Sequence, residues 1–144
     1  MAGTFDRSTT GGVGPVIRLL IVDDHLSVRW GLEQMFAMVA GIEVVGSATD
    51  GAQAIALADQ LVPDVILMDI AMPRVDGVEA TRLITVAQPT SRIVILSGQS
   101  DQARIRDALQ AGAVSYLPKE SDPEDVIRAV RAAYNEVGLS GTAG

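Results

Sequence analysis

The stretch DVILMD, residues 64–69, decides the fold of this chain. Its four apolar residues run without a break between two aspartates, and Pro63 and Pro73 bound the segment. A run of this kind predicts a strand that is buried on both faces, as in a parallel sheet. Open α/β sheets place their functional residues at the carboxyl ends of such strands. Asp69, which ends this strand, is therefore the first candidate site residue.

Strands and helices alternate along the rest of the chain. Short apolar runs predict four further strands, at 16–22, 42–48, 92–96 and 113–117, and Glu43 makes the second of these an expected edge strand. Apolar residues spaced three and four apart predict helices at 25–39, 52–61, 78–86 and 101–111. A capping box with proline at the first helical position starts a last helix at 121–124, whose apolar stripe reaches Val137.

This order of elements predicts one α/β domain. Alternating strands and helices imply a parallel sheet with helices on both faces and right-handed crossovers. We expect a flavodoxin-like, doubly wound sheet of five parallel strands with five helices, over residues 16–137. Residues 1–15 are predicted to be a flexible tail, because they are rich in Gly, Ser and Thr. Residues 138–144 are predicted to be a second flexible tail, or the start of a linker to an effector domain absent from this chain.

Composition excludes several classes of protein. The chain has 144 residues, a formal charge of −7 and no cysteine. Disulfides and thiolate metal sites are therefore excluded, and the acidic balance makes the chain alone a poor nucleic-acid binder. The sequence contains no apolar run of membrane-spanning length and no secretory signal pattern. We expect a soluble cytoplasmic protein.

The predicted strand ends carry most of the chemistry-bearing residues. Polar side chains follow four of the predicted strands: Asp23 and Asp24, Asp69, Ser97, and Lys119, which is the only lysine. In a doubly wound sheet these ends meet at one crevice. Clustered carboxylates repel one another unless a proton or a cation intervenes, and oxygen ligands suit Mg²⁺. An aspartate beside Mg²⁺ and a lysine can attack phosphorus, so the pattern indicates phosphoryl transfer to Asp69.

Four motifs in this order resemble the receiver domain of bacterial response regulators, the CheY-like family. They are LIVDDH, DVILMDIAMPRVDGVEATRLI, IVILSG and AGAVSYLPKE, and the resemblance covers residues 16–137. The start DDH followed by SVRWGL is most similar to the NarL/FixJ, or LuxR-type, subfamily. The resemblance implies that Asp69 is the phosphoacceptor, with Lys119 as the phosphoryl-binding cation, Ser97 as the switch hydroxyl and Tyr116 as the aromatic switch.

The same resemblance implies a cofactor and partners. Mg²⁺ would be held by Asp24, Asp69 and the Ala71 carbonyl, with Asp23 acting through water. The phosphoryl donor would be a phosphohistidine on a sensor histidine kinase, and the last helix would offer a homodimer interface. Contact with DNA would come only through a helix-turn-helix domain absent from this chain, and a membrane partner is not expected. The chain would assist its own phosphorylation and dephosphorylation without being an enzyme in the ordinary sense.

Other interpretations of these residues remain open. An aspartyl phosphatase of the haloacid dehalogenase type also uses aspartate, Mg²⁺ and lysine, but it needs a second aspartate where this chain has Ala71. A pseudo-receiver that only dimerises or docks would not use the acidic cluster. Asp23 and Asp24 could simply cap a helix, and Tyr116 could simply fill space. His25 is interpreted as a capping or loop residue rather than a metal ligand.

Overall fold

The computed structural model describes residues 15–72, 75–98 and 102–143, with side chains described as far as Asn135. Five parallel strands form one sheet. They are β1 (Ile17–Val22), β2 (Ile42–Ala48), β3 (Val65–Asp69), β4 (Arg92–Ser97) and β5 (Ser115–Pro118). Five helices alternate with them: α1 (Leu26–Ala37), α2 (Gly51–Leu61), α3 (Gly77–Ala87), α4 (Gln102–Ala111) and α5 (Pro123–Ala143).

The strand order is β2-β1-β3-β4-β5, which is the flavodoxin-like order of a doubly wound sheet. The predicted fold class is therefore confirmed, and β2 is an edge strand as predicted. The chain runs outward from β1 to β2 and then crosses to β3, so the topological switch point lies between β1 and β3. This arrangement opens the functional crevice beside the carboxyl ends of those two strands.

The two faces of the sheet bury separate cores because side chains alternate along each strand. On one face, Phe36 of α1 and Val130 of α5 pack with strand residues such as Leu19 and Leu67. On the other face, small residues of α2, α3 and α4 pack against strand residues that include Ile66 and Met68. β3 is buried along its whole length, as its unbroken apolar run predicts.

The amino-terminal end of β3 is held by a dense set of hydrogen bonds. The Asp64 carboxylate accepts from the Arg18 N–H at 2.9 Å. The Asp64 backbone N–H donates to the Arg18 carbonyl, and its carbonyl accepts from the Arg92 N–H, both at 2.9 Å. One aspartate thus joins β3 to both neighbouring strands, which sets the register of the central sheet.

Two predicted boundaries were wrong. β5 begins at Ser115 rather than 113 and includes Pro118, because a proline without an N–H is tolerated at the end of an edge strand. The last helix continues past Val137 to Ala143, so residues 138–143 are helical rather than a flexible tail. Propagating an existing helix adds one hydrogen bond per residue, while a glycine costs only about 1 kcal/mol.

Some predictions fall outside the described residues. Residues 1–14 of the predicted tail, Asp101 at the predicted start of the fourth helix, and Gly144 belong to this group. Among the described residues, no helix is both long enough and apolar enough to cross a membrane.

Candidate acidic site at the strand ends

Three strands deliver the charged residues of the candidate site. Asp23 directly follows β1, Asp69 ends β3, and Lys119 directly follows β5. The Lys119 Nζ lies 3.3 Å from Asp23 Oδ2 and 3.1 Å from Asp69 Oδ2. The Lys119 backbone N–H donates to the Ser97 carbonyl at 2.8 Å, which fixes the lysine beside the end of β4. The predicted convergence of the strand ends is confirmed.

Burial and the neighbouring charges shift the pKa values of Asp69 and Lys119. Asp23 and Asp69 are both 0% exposed. Burial raises the pKa of Asp69 above its ordinary value and the Asp23 charge raises it further, whereas the Ala71 N–H and Lys119 lower it. Burial alone would lower the pKa of Lys119, but attraction to Asp69 and Asp23 outweighs it, so that pKa lies above its ordinary value. The lysine therefore stays protonated between the two carboxylates.

The backbone packs closely around Asp69. Its Oδ1 accepts a hydrogen bond from the Ala71 N–H at 3.1 Å. Gly77, the first residue of α3, lies so close that an added Cβ would stand 2.5 Å from the Asp69 carbonyl oxygen and 2.7 Å from the Ile70 Cα. Only glycine permits this approach, so the start of α3 is held directly against the end of β3.

The carboxylate oxygens that face Lys119 are incompletely satisfied. Asp23 Oδ2 and Asp69 Oδ2 are buried, and among the described residues their shared polar partner is Lys119 Nζ, at 3.3 and 3.1 Å, with no further hydrogen bond to either oxygen. Ligand atoms of Asp23, Asp24, His25 and Asp69 all lie within 4.8 Å of one another. Buried carboxylate oxygens with free lone pairs, next to a more exposed carboxylate, are suitable donors for a hard divalent cation. The residues present therefore fit a magnesium site.

His25 takes part in this cluster, which the sequence interpretation missed. It occupies the position before α1, but its side chain makes no capping hydrogen bond. Its Nδ1 lies 3.0 Å from Asp23 Oδ1 and 3.1 Å from Asp24 Oδ1. Its backbone N–H also donates to Asp23 Oδ1 at 2.8 Å, which is an Asx turn. The only available signal was the Asp-x-His spacing, which permits this turn but does not require it.

Ser97 and Tyr116 lie beside the acidic cluster rather than in it. Ser97 ends β4, is only 2% exposed, and its Oγ donates weakly to the Gly98 carbonyl at 3.3 Å. It lies one residue beyond Leu96, which pairs with Asp69 across the sheet. Tyr116 lies on the edge strand β5 and is 49% exposed. Ser97 is thus buried at the carboxyl end of β4, whereas Tyr116 is half exposed on the edge strand.

Comparisons with known proteins agree with this geometry. The family model of the response regulator receiver domain matches residues 19–131. The transcriptional regulatory protein LiaR of Bacillus subtilis is 42% identical over 118 residues, which is 82% of this chain and 56% of that protein. The chain thus spans little more than half the length of this relative.

Solved structures give the same result. The signal receiver domain of the response regulator NarL from Mycobacterium tuberculosis superposes with a TM-score of 0.80 at 30% identity, covering 84% of this chain and 98% of that one. A chain of the CheX–CheY–BeF3–Mg²⁺ complex from Borrelia burgdorferi gives a TM-score of 0.77 at 25% identity, covering 86% and 93%. The similarity therefore extends over the sheet and helices that carry the acidic site.

Proposed function

The chain belongs to the response regulator receiver domain family, in its NarL/LuxR-type branch, and on this premise we propose that Asp69 accepts a phosphoryl group. The observation that carries the proposal is the pairing of the buried Asp69 carboxylate with Lys119 at 3.1 Å, at the switch point of the sheet. This is a carboxylate nucleophile with a positive charge already beside it.

The proposed reaction is a transfer from a phosphohistidine of a sensor histidine kinase. An Asp69 carboxylate oxygen attacks phosphorus, an O–P bond forms, and the P–N bond breaks with its electron pair returning to the imidazole. The product is an acyl phosphate. Lys119 lies where it can stabilise the charge on the phosphoryl oxygens, and the Ala71 N–H keeps Asp69 oriented. Because Asp69 is consumed as the acceptor, the domain is not proposed to turn over an external substrate.

Mg²⁺ is the proposed cofactor. Asp24 and Asp69 would hold it with the Ala71 carbonyl, while Asp23 would act through a water molecule. The ion would supply positive charge that offsets the phosphoryl oxygens. The buried oxygens of Asp23 and Asp69, whose one shared partner is Lys119, support this assignment, and the similar CheX–CheY complex contains BeF3 and Mg²⁺.

The proposed output is a conformational switch. Ser97 would hydrogen-bond the phosphoryl group and Tyr116 would move with it, which changes the surface beside β5. The size of such a shift equals the difference in phosphoryl affinity between the two states. We propose transcriptional control through a DNA-binding domain outside this chain, since LiaR is a transcriptional regulatory protein. Pairing through the last helix, a cytoplasmic location and a receiver domain at residues 16–137, beyond which α5 continues to Ala143, complete the proposal.

Two other functions receive less support. A haloacid dehalogenase-type phosphatase needs an acid two residues after its nucleophile, and this position is Ala71. A pseudo-receiver would have no use for a partly buried lysine paired with two buried carboxylates, since burying such charges carries a cost.

Incubation with Mg²⁺ and a small-molecule phosphodonor such as acetyl phosphate tests the proposal. Intact-mass measurement should show one added phosphoryl group on the wild type and none on Asp69→Asn. Asp64→Asn is the matched control, because it alters the other end of the same strand and should be labelled like the wild type. A wild type that stays unlabelled with several donors would refute the proposal, as would an Asp69→Asn variant that is labelled fully.

A further inference from the structure

Arg104 on α4 reaches across to the loop that follows the acceptor aspartate. A single guanidinium nitrogen, Nη2, donates to the Ile70 carbonyl at 2.8 Å and to Asp76 Oδ2 at 2.9 Å. Among the described residues, the Arg104 Nε is buried and has no hydrogen-bond partner. The contact of this side chain with the loop is therefore concentrated in Nη2.

Both partners of Arg104 lie in the segment between Asp69 and α3. Ile70 is the next residue in the chain, and its carbonyl also accepts from the Gly77 N–H at 3.3 Å. Asp76 caps α3 by accepting from the Glu79 N–H at 3.0 Å. One nitrogen of Arg104 thus joins three elements: the loop after Asp69, the start of α3 and the helix α4.

Helix α4 buries few side chains, and the partly buried Ile105 packs with them against the core. Ala108 is its only buried residue. The ion pair of Arg104 with Asp76 is partly exposed, at 38% and 35% of the respective side chains. A charged pair of this exposure contributes only modestly to stability, so the contact can be made or broken at small cost. The Arg104 contact can therefore form or break when the loop after Asp69 changes its conformation.

We propose that Arg104 is a positioning residue that couples the state of Asp69 to the placement of α4. The proposal rests on the proposed phosphorylation of Asp69. New charge on Asp69 changes the electrostatics and geometry of the adjoining 70–71 peptide, and the Ile70 carbonyl passes that change to Arg104. The coupling works in both directions, because any tie that lets Asp69 bias α4 also lets α4 bias Asp69.

Hydrogen exchange over residues 102–111 tests this coupling. The full chain is measured free and loaded with beryllium fluoride and Mg²⁺, and ¹⁹F NMR verifies the loading separately. Arg104→Gln is compared with Arg106→Gln, which removes the same charge from an exposed position on the same helix. In the free protein we expect Arg104→Gln to speed exchange in α4 by about fivefold, because the loop contact is lost.

Hydrogen exchange in the beryllium fluoride-loaded protein distinguishes coupling to Asp69 from a contact that only stabilises α4. Loading should alter α4 exchange in the wild type and in Arg106→Gln, and this response should fall by more than half in Arg104→Gln although it still binds beryllium fluoride. Arg104→Lys should recover most of the response, since one ammonium can donate to both oxygens. An Arg104→Gln variant with the full response overturns the proposal. A wild type that takes up no beryllium fluoride refutes the phosphorylation itself, and the coupling with it.

Discussion

The two ends of β3 each carry an aspartate, and the two aspartates are used differently. Asp64, before the strand, accepts the Arg18 N–H with its side chain and bonds both neighbouring strands with its backbone. Asp69, at the other end, is fully buried: its Oδ1 accepts the Ala71 N–H, and its Oδ2 lies 3.1 Å from Lys119 Nζ, with the Asp23 charge also nearby.

This difference separates a structural carboxylate from the proposed phosphoacceptor. The hydrogen bonds of the Asp64 carboxylate and backbone stabilise the sheet. At Asp69, burial and the neighbouring Asp23 work against ionisation, so the fold retains an unfavourable charge at that end. Such local costs are expected where a site is prepared for chemistry rather than for stability.

Removing Lys119 should have the largest effect on stability. Lys119→Met leaves two buried carboxylates without their shared cation, and we expect a loss of about 3 kcal/mol at neutral pH. Urea denaturation followed by circular dichroism measures this loss. Lys119→Arg retains the positive charge and should lose clearly less. A Lys119→Met variant as stable as the wild type would show that the pairing contributes nothing.

Truncating Asp64 should have the next largest effect. Asp64→Ala removes the acceptor of the Arg18 N–H, and an unsatisfied donor of this kind costs about 2 kcal/mol. Asp64→Asn keeps an acceptor oxygen and should lose less than half as much. Both losses are measured by urea denaturation. Equal stabilities for the alanine and asparagine variants would contradict the structural role assigned to this carboxylate.

Neutralising Asp69 should have the smallest effect on the free energy of unfolding, and it should increase stability rather than reduce it. Asp69→Asn removes a buried charge, and we expect the variant to be more stable by about 1 kcal/mol at pH 7. Because the pKa of Asp69 is raised by burial, the folded protein binds this proton more tightly than the unfolded chain does. The penalty is therefore complete above the folded pKa, shrinks as the pH falls through it, and is gone below the pKa of Asp69 in the unfolded chain.

Denaturation at several pH values checks this dependence. The advantage of Asp69→Asn over the wild type should shrink as the pH falls toward the ordinary range of aspartate. An advantage that grows on acidification would contradict the direction of the pKa shift. Destabilisation of Asp69→Asn at pH 7 would mean that its contact with Lys119 outweighs the cost of burial.

Much of the fold was predictable because buried parallel strands have an unmistakable pattern. The apolar run before Asp69 predicts a strand that is buried on both faces. The alternation of strands and helices along the chain then predicts a parallel sheet. Parallel strands also align their carboxyl ends, so the meeting of Asp23, Asp69 and Lys119 followed from strand order alone.

The remaining features depend on contacts that periodicity does not encode. Arg104 meets Ile70 through a long side chain that crosses between two elements, and nothing in the local sequence specifies that reach. His25 could have capped α1 or turned toward the acids, and both choices fit the same residues. Val62 ends α2 in the left-handed conformation at φ 45°, where a glycine would be expected. Arg18 donates to the Leu61 and Val62 carbonyls beside it, a contact visible only in three dimensions.

The most direct test of the central claim is to locate the phosphoryl group on the chain. The labelled protein is reduced with borohydride, which converts an aspartyl phosphate to homoserine, and is then mapped by peptide mass spectrometry. The conversion should occur at Asp69 alone, in the peptide that contains β3, and should be absent from Asp64 at the other end of the strand. Conversion at Asp23, Asp24 or Asp64, with Asp69 unchanged, would contradict the account.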